Sequence, residues 1–231
     1  MQFKELIKSL GVELSKKQEE QFDIYYKFLV EYNTHTNLTR ITDKNSVYIK
    51  HFYDSLLLRS VVEVNNKTLC DVGAGAGFPS VPLAITCDTL SAHIVDSLGK
   101  RITFLNELCK KLQINNVVAT HSRAEDFCKG RRETFDIVTA RAVARLNILV
   151  ELCLPLVKVG GVFVALKGSS LDSELSESLE GIKILGGEIL KTEKFELPDE
   201  MGTREILVIK KITETALDYP RSFGVIKKKP L

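Results

Sequence analysis

The spacing of apolar positions changes character once along the chain, near residue 65. Before that point the period is helical. Residues 2–10 read as a short helix stopped by Gly11, and Ser15-Lys16-Lys17-Gln18 has the form of a capping box. Phe22, Tyr25, Phe28, Leu29 and Tyr32 then recur at helical spacing, the stripe by which a helix meets a core. Residues 33–40 are polar and rich in turn formers. A second long helix is predicted from Asp43 to about Val62. It places His51, Asp54 and Ser55 on one face. These three are not a hydrolase triad: a triad serine meets its histidine from another element, and no G-x-S-x-G elbow occurs. Local hydrogen bonding, or docking of this helix on the domain that follows, is expected. Residues 1–65 therefore form a helical extension.

From Lys67 onward short apolar runs alternate with helical stripes. Strands are predicted at 67–72, 91–96, 117–120, 135–140 and 162–166. Helices are predicted between them. The first covers roughly Pro79–Ile85, with proline in its first turn. The second, capped by Ser97, carries Ile102, Leu105, Leu108 and Leu112. A third carries Leu146, Leu149, Leu152 and Leu156. A further helix over roughly 170–182 precedes two strands, 184–197 and 203–211, that read as an antiparallel pair. Five βα units with a terminal hairpin predict an α/β fold for residues 66–231: a doubly wound, mostly parallel sheet with an antiparallel finish.

The candidate chemistry begins where the first strand ends, at Asp71-Val72-Gly73-Ala74-Gly75-Ala76-Gly77-Phe78-Pro79. Glycines at alternate positions let a ligand approach the backbone closely. A dinucleotide fingerprint requires G-x-G-x-x-G, whereas Phe78 stands at the sixth position from Gly73. That crowds a pyrophosphate but can wall a smaller cofactor, and it disfavours a nicotinamide-dependent oxidoreductase. Asp71, directly before the turn, suits a cationic ligand. D-V-G-x-G-x-G resembles motif I of the class I methyltransferases, whose cofactor S-adenosylmethionine carries a sulfonium and an ammonium. In doubly wound sheets ligands bind beyond the carboxyl ends of the strands. The candidates at those ends are Gly73 and Gly75, Asp96, Ala124-Glu125, Arg141 and Lys167. Asp96 stands where an acid accepts two ribose hydroxyls, the alternative being a solvated strand-end acid. Ala124-Glu125 lines an adenine or simply caps a helix. Arg141 clamps a phosphate or base edge, or forms a surface ion pair.

Composition narrows the partners only slightly. The 231 residues are 44% hydrophobic and 27% charged with a net charge of +2, so a basic surface has to be local. Cations cluster at Lys100-Arg101, Lys110-Lys111, Lys129/Arg131/Arg132 and Lys227-Lys228-Lys229. Just before the last cluster, Tyr219-Pro220-Arg221-Ser222-Phe223-Gly224 mixes aromatics with a cation, which suits single-stranded RNA. The five cysteines have no C-x-x-C pair and mostly sit in apolar segments. They are expected as small core residues in a reducing cytoplasm. No membrane span, signal peptide or metal site is expected.

Several blocks together are more specific than the glycine turn. They are Tyr32-Asn33 with Asn37-Leu38-Thr39, His51-Phe52-Tyr53-Asp54-Ser55-Leu56, Asp71–Pro79, Asp96-Ser97 with Lys100-Arg101, Arg141-Ala142-Val143-Ala144, and Pro220-Arg221. Spanning residues 32–221, they resemble the glucose-inhibited division protein B family, the small-subunit ribosomal RNA guanine-N7 methyltransferases also called RsmG. One departure is Ser80, where that family usually has glycine. The resemblance implies a Rossmann-like class I methyltransferase fold and methyl transfer from S-adenosylmethionine to N7 of a guanine in a loop of bacterial 16S rRNA near the decoding centre. It implies the small ribosomal subunit or its rRNA as partner. By position it implies cofactor contacts from Gly73, Phe78, Ala124, Glu125 and Arg141, to which the strand-end argument adds Gly75 and Asp96. Arg141 or Lys167 would donate to guanine O6 and orient the base. The chain is expected to act as a monomer. The alternatives are a non-catalytic RNA-binding or ribosome-assembly factor, which would need the basic tail but not the glycine loop, and a methyltransferase with another substrate.

Overall fold

A computed structural model describes residues 3–168 and 171–231; residues 2 and 170, in two predicted helices, lie outside them. Among the described residues seven strands form one sheet: β1 Thr68–Val72, β2 Ser91–Asp96, β3 Val117–His121, β4 Phe135–Arg141, β5 Val157–Lys167, β6 Gly187–Glu196 and β7 Thr203–Lys211. Their order across it is β3-β2-β1-β4-β5-β7-β6. The first five run parallel, and β7 pairs antiparallel with both β5 and β6. Strand order reverses between β1 and β4, which is where open α/β sheets bind ligands.

Alternation along each strand divides the core into two layers. Leu69, Ile94, Ile137, Val164 and Val208 face one layer, with the aromatic residues Phe22, Tyr25, Phe52, Phe78 and Phe104. Cys70, Val95, Val138, Phe163 and Leu207 face the other, with Leu146, Leu149, Leu171, Ile182 and Ile226. The first layer is covered by α1 (Phe3–Lys8), α2 (Lys16–Thr36), the helical stretch at 44–60, α5 (Ser80–Thr86) and α6 (Gly99–Leu112). The second is covered by α8 (Leu146–Cys153), α9 (Leu171–Ser176), α10 (Leu179–Ile184) and α11 (Phe223–Lys228), with the short α7 (Ala124–Cys128) beside them. The predicted stripes of α2 and α6 are buried except for the half-buried Tyr32, and Ser15 and Gln18 form the expected capping box. All five cysteines are free and buried.

Several elements differ from the sequence pattern for local reasons. The stretch 44–60 starts as predicted, with the Asp43 side chain accepting from Ser46 N at 2.9 Å. It is not one α-helix. It runs through α3 (Lys44–Val47), a π-helical segment Tyr48–Tyr53, α4 (Asp54–Leu56) and a 3-10 turn Leu57–Ser60. Pro79 stands just before α5, and Ser80 takes its first position. Ser97 does not cap α6. That helix begins at Gly99, and Asp96 Oδ1 accepts from Leu98 N instead. β5 starts at Val157, five residues early, through a bulge opposite β4. The helix predicted over 170–182 breaks at Ser178, which is buried and donates its hydroxyl to Glu174 O at 2.6 Å, satisfying the carbonyl locally. Residues 184–186 end α10 and turn, so β6 starts at Gly187.

Candidate active site

The carboxyl ends of β1, β2, β3, β4 and β5 open onto one cavity of about 690 Å³, within the range of small-molecule sites. Gly73, Gly75, Phe78, Asp96, Ala124, Glu125, Arg141 and Lys167 all line it. The turn after β1 depends on its glycines: Gly73, Gly75 and Gly77 have φ of +75°, +61° and +98°. A Cβ on Gly77 would lie within 2.9 Å of Val81, Leu105 and the Tyr25 hydroxyl, whereas one on Gly75 would meet nothing within 4 Å. Gly77 is thus a packing glycine, and Gly75 leaves open space in the cavity wall. Tyr25, from α2, donates to Ala76 O at 2.5 Å and fixes the loop from outside.

The carboxylates divide sharply. Asp71, fully buried, accepts from Ser80 N at 3.1 Å and does not line the cavity. Burial pushes its pKa up to about 7. It shapes the loop and does not face a cationic ligand, contrary to the expectation from its place in the motif. Asp96 does line the cavity. Its Oδ2 accepts from Gly75 N at 3.2 Å and Arg101 Nη1 at 3.0 Å, and its Oδ1 from Leu98 N at 2.9 Å. A carboxylate has about four acceptor sites, so Asp96 keeps one for a ligand hydroxyl. Glu125, in the first turn of α7, accepts at Oε1 from Phe223 N at 3.3 Å.

At the other end of the cavity, the π segment brings His51 against Phe78, ring centroids 4.6 Å apart. Tyr25 stacks on the same phenyl ring at 5.4 Å, and the Arg141 guanidinium lies 5.0 Å from its centroid. Arg141 Nη1 donates to Asp54 Oδ2 at 2.8 Å, and Arg204 Nε lies 3.1 Å from the same oxygen. His51 Nε2 and the Thr39 hydroxyl are 3.0 Å apart. Burial, then the neighbouring Arg141 charge, push the His51 pKa down to about 3, so the imidazole is neutral. Lys167 donates to Ala144 O at 3.0 Å and pairs with Glu174 at 2.6 Å, which among the described residues leaves one of its three N–H donors over. The arrangement is a cofactor-sized cavity with a nucleoside-compatible acid at one end and a cationic, aromatic-backed cluster at the other.

Residues 18–205 match the family model of GidB, rRNA small subunit methyltransferase G. The chain belongs to the rRNA small subunit methyltransferase G family. It is 52% identical over 223 residues to the protein of that name from Staphylococcus saprophyticus, covering 96% of this chain and 93% of the relative. It is 51% identical over 233 residues to the Oceanobacillus iheyensis protein, covering 100% and 98%. In fold it is similar to M. jannaschii TYW2, solved in complex with AdoMet (TM-score 0.55, 16% identity, 75% of this chain and 80% of that one). It is likewise similar to a point mutant of the 16S rRNA (adenine(1408)-N(1))-methyltransferase from Catenulisporales acidiphilia (TM-score 0.55, 14% identity, 66% and 88%). The fold of this methyltransferase is therefore the expected Rossmann-like class I one.

Lys50, Asp54, Glu174 and Arg204 also line the cavity and were not among the residues singled out by strand-end reasoning. Asp54 carried a signal, its place in the histidine block. Arg204 carried none: only the antiparallel register, Lys167 opposite Glu205, returns the start of β7 to the open end of β5. The aromatic and cationic tail is used differently from the RNA-contact expectation. Arg221 is spent on the buried Glu151, with Nε and Nη2 donating at 2.8 and 2.6 Å. Lys227, Lys228 and Lys229 remain exposed.

Proposed function

We propose that this chain transfers a methyl group from S-adenosylmethionine to N7 of one guanine in 16S rRNA, with the rRNA held in the small ribosomal subunit. What carries the reading is one cavity that gathers the glycine turn, Asp96, Glu125 and Arg141 in a chain of this family. The residues fit the cofactor: Gly75 leaves room against the backbone, and Asp96 keeps an unfilled acceptor. Gly73, Gly75, Phe78, Asp96, Ala124, Glu125 and Arg141 would hold it. When bound, it supplies an electrophilic methyl group on a sulfonium.

Guanine N7 carries a lone pair and no proton, so the chain needs no general base. His51, the one imidazole among the described residues of the cavity wall, is held neutral and stacked, in keeping with a wall and not a proton carrier. Positioning is then the main contribution, for which oriented reactants offer up to about 7–11 kcal/mol. Arg141 and Lys167 are tethered by Asp54 and Glu174 yet, among the described residues, retain N–H donors, so either can hold guanine O6 and set the angle of N7. The chain works as a cytoplasmic monomer in this reading; five buried free thiols support a reducing compartment, and none of the described helices is long and apolar enough to cross a membrane. The test is transfer of labelled methyl from S-adenosylmethionine to 30S subunits lacking the modification, with mapping of N7-methylguanine. A single labelled guanine is expected; cofactor binding without transfer to rRNA would overturn the substrate.

A further inference from the structure

The C-terminal segment is held down more firmly than a solvated tail requires. Glu151, on α8, is completely buried and accepts from Arg221 backbone N at 2.9 Å as well as from Nε and Nη2. Arg221 Nη2 also donates to Lys229 O at 3.1 Å, drawing the end of α11 back to its start. Arg132 donates to the backbone carbonyls of Thr215, Ala216 and Tyr219, and Ile226 is buried in the second core layer. All of this converges on one side chain. Phe223 lines the cavity beside Arg123, Ala124 and Glu125. Its backbone N–H is bonded to Glu125, and the Arg123 guanidinium lies 5.9 Å from its ring centroid.

We propose that the 219–229 segment is part of the cofactor site: Phe223 forms the wall against which the adenine packs, and the Glu151–Arg221 pair positions it there. The inference rests on the cofactor reading above, which assigns the nucleoside end of the cavity to Asp96, Ala124 and Glu125. An aromatic face suits a purine, and the Glu125 carboxylate beside it on the same wall accepts hydrogen bonds, as an adenine amino group requires. The tail thereby orients Glu125 through the Phe223 N–H and closes the cavity beside it.

Equilibrium dialysis with labelled S-adenosylhomocysteine tests this on the full chain. Phe223→Ala should weaken binding about tenfold or more, the loss expected when an aromatic ring is removed from a base. Phe223→Tyr should bind as wild type, and Phe223→Leu, which keeps the apolar volume and the fold but not the π face, should bind more weakly than the Tyr variant. In turnover the Ala variant should raise KM for S-adenosylmethionine and leave kcat unchanged. Equal affinity of the Leu, Ala and wild-type proteins would overturn the role of Phe223 while leaving the cofactor reading intact. Failure of the wild-type chain to bind S-adenosylhomocysteine would overturn both.

Discussion

Two titratable residues, the half-buried His51 on the cavity wall and the buried Asp71 behind it, work against each other. His51 has a folded pKa of about 3 against an ordinary 6.5, so its contribution to stability is present above pH 6.5 and is lost as pH falls toward 3. Asp71 has a folded pKa of about 7 against 3.8, so its contribution is present below pH 3.8 and is lost as pH rises toward 7. Between about pH 4 and about pH 6.5 the two slopes oppose. Relative to wild type, His51→Gln should lose stability as pH rises through this window, and Asp71→Asn should gain it. Urea unfolding at several pH values reads both signs, and parallel curves for all three proteins would refute the assignment. Arg141 tests the chemistry at the same scale. Its removal takes the guanidinium off Phe78 and leaves Asp54 to Arg204. Arg141→Ala should lower kcat about 100-fold, the cost of a misplaced reactant. A variant retaining both turnover and cofactor affinity would sink its role.

The glycine turn and the 44–60 stretch are the two elements that make the cavity. In the turn, Gly75 and Gly77 are separable by experiment. Both have positive φ, which costs a side-chain-bearing residue about 1 kcal/mol or more. Only Gly77 also lacks room for a Cβ. Gly77→Ala should therefore destabilise by about 3 kcal/mol and loosen the Tyr25 anchor. Gly75→Ala should cost about 1 kcal/mol and act mainly on cofactor affinity. Thermal unfolding and S-adenosylhomocysteine dialysis, run on both variants, separate the two; equal destabilisation would contradict the packing. In the 44–60 stretch the apolar stripe read as an ordinary helix. Its π segment is invisible to a periodicity count, because one widened turn barely changes the spacing of Ile49, Phe52 and Tyr53, yet it carries Lys50 and His51 to the cavity wall. Gatherings of this kind are common where π turns occur.

At the scale of the whole molecule, the C-terminal tail is tied to the second core layer by the buried Ile226 and by the Glu151–Arg221 ion pair. Arg221→Ala leaves the buried Glu151 carboxylate without its counterion and should cost about 3–5 kcal/mol. The double replacement of Glu151 and Arg221 by leucine should recover most of it, since a buried pair is often no better than well-packed apolar groups. Additive losses in a double-mutant cycle would show that the two do not interact. The chain's own residues, read in order, were enough for the sheet's composition and for the pocket's principal wall. Hydrophobic period separates strands from helices locally, and a glycine turn at a strand end has one place to be in a doubly wound sheet. Gly73, Gly75, Asp96, Glu125 and Arg141 were found that way. Local pattern does not contain what distant segments do to one another. It did not show that Asp71 turns away from the cavity onto the Ser80 amide, that Arg141 and Arg204 share the Asp54 carboxylate, or that Arg221 is spent on Glu151. Each of those is a choice between water and a partner elsewhere in the chain. Burial makes that choice, since a charge removed from water has to find its counterion wherever the packed layers bring one.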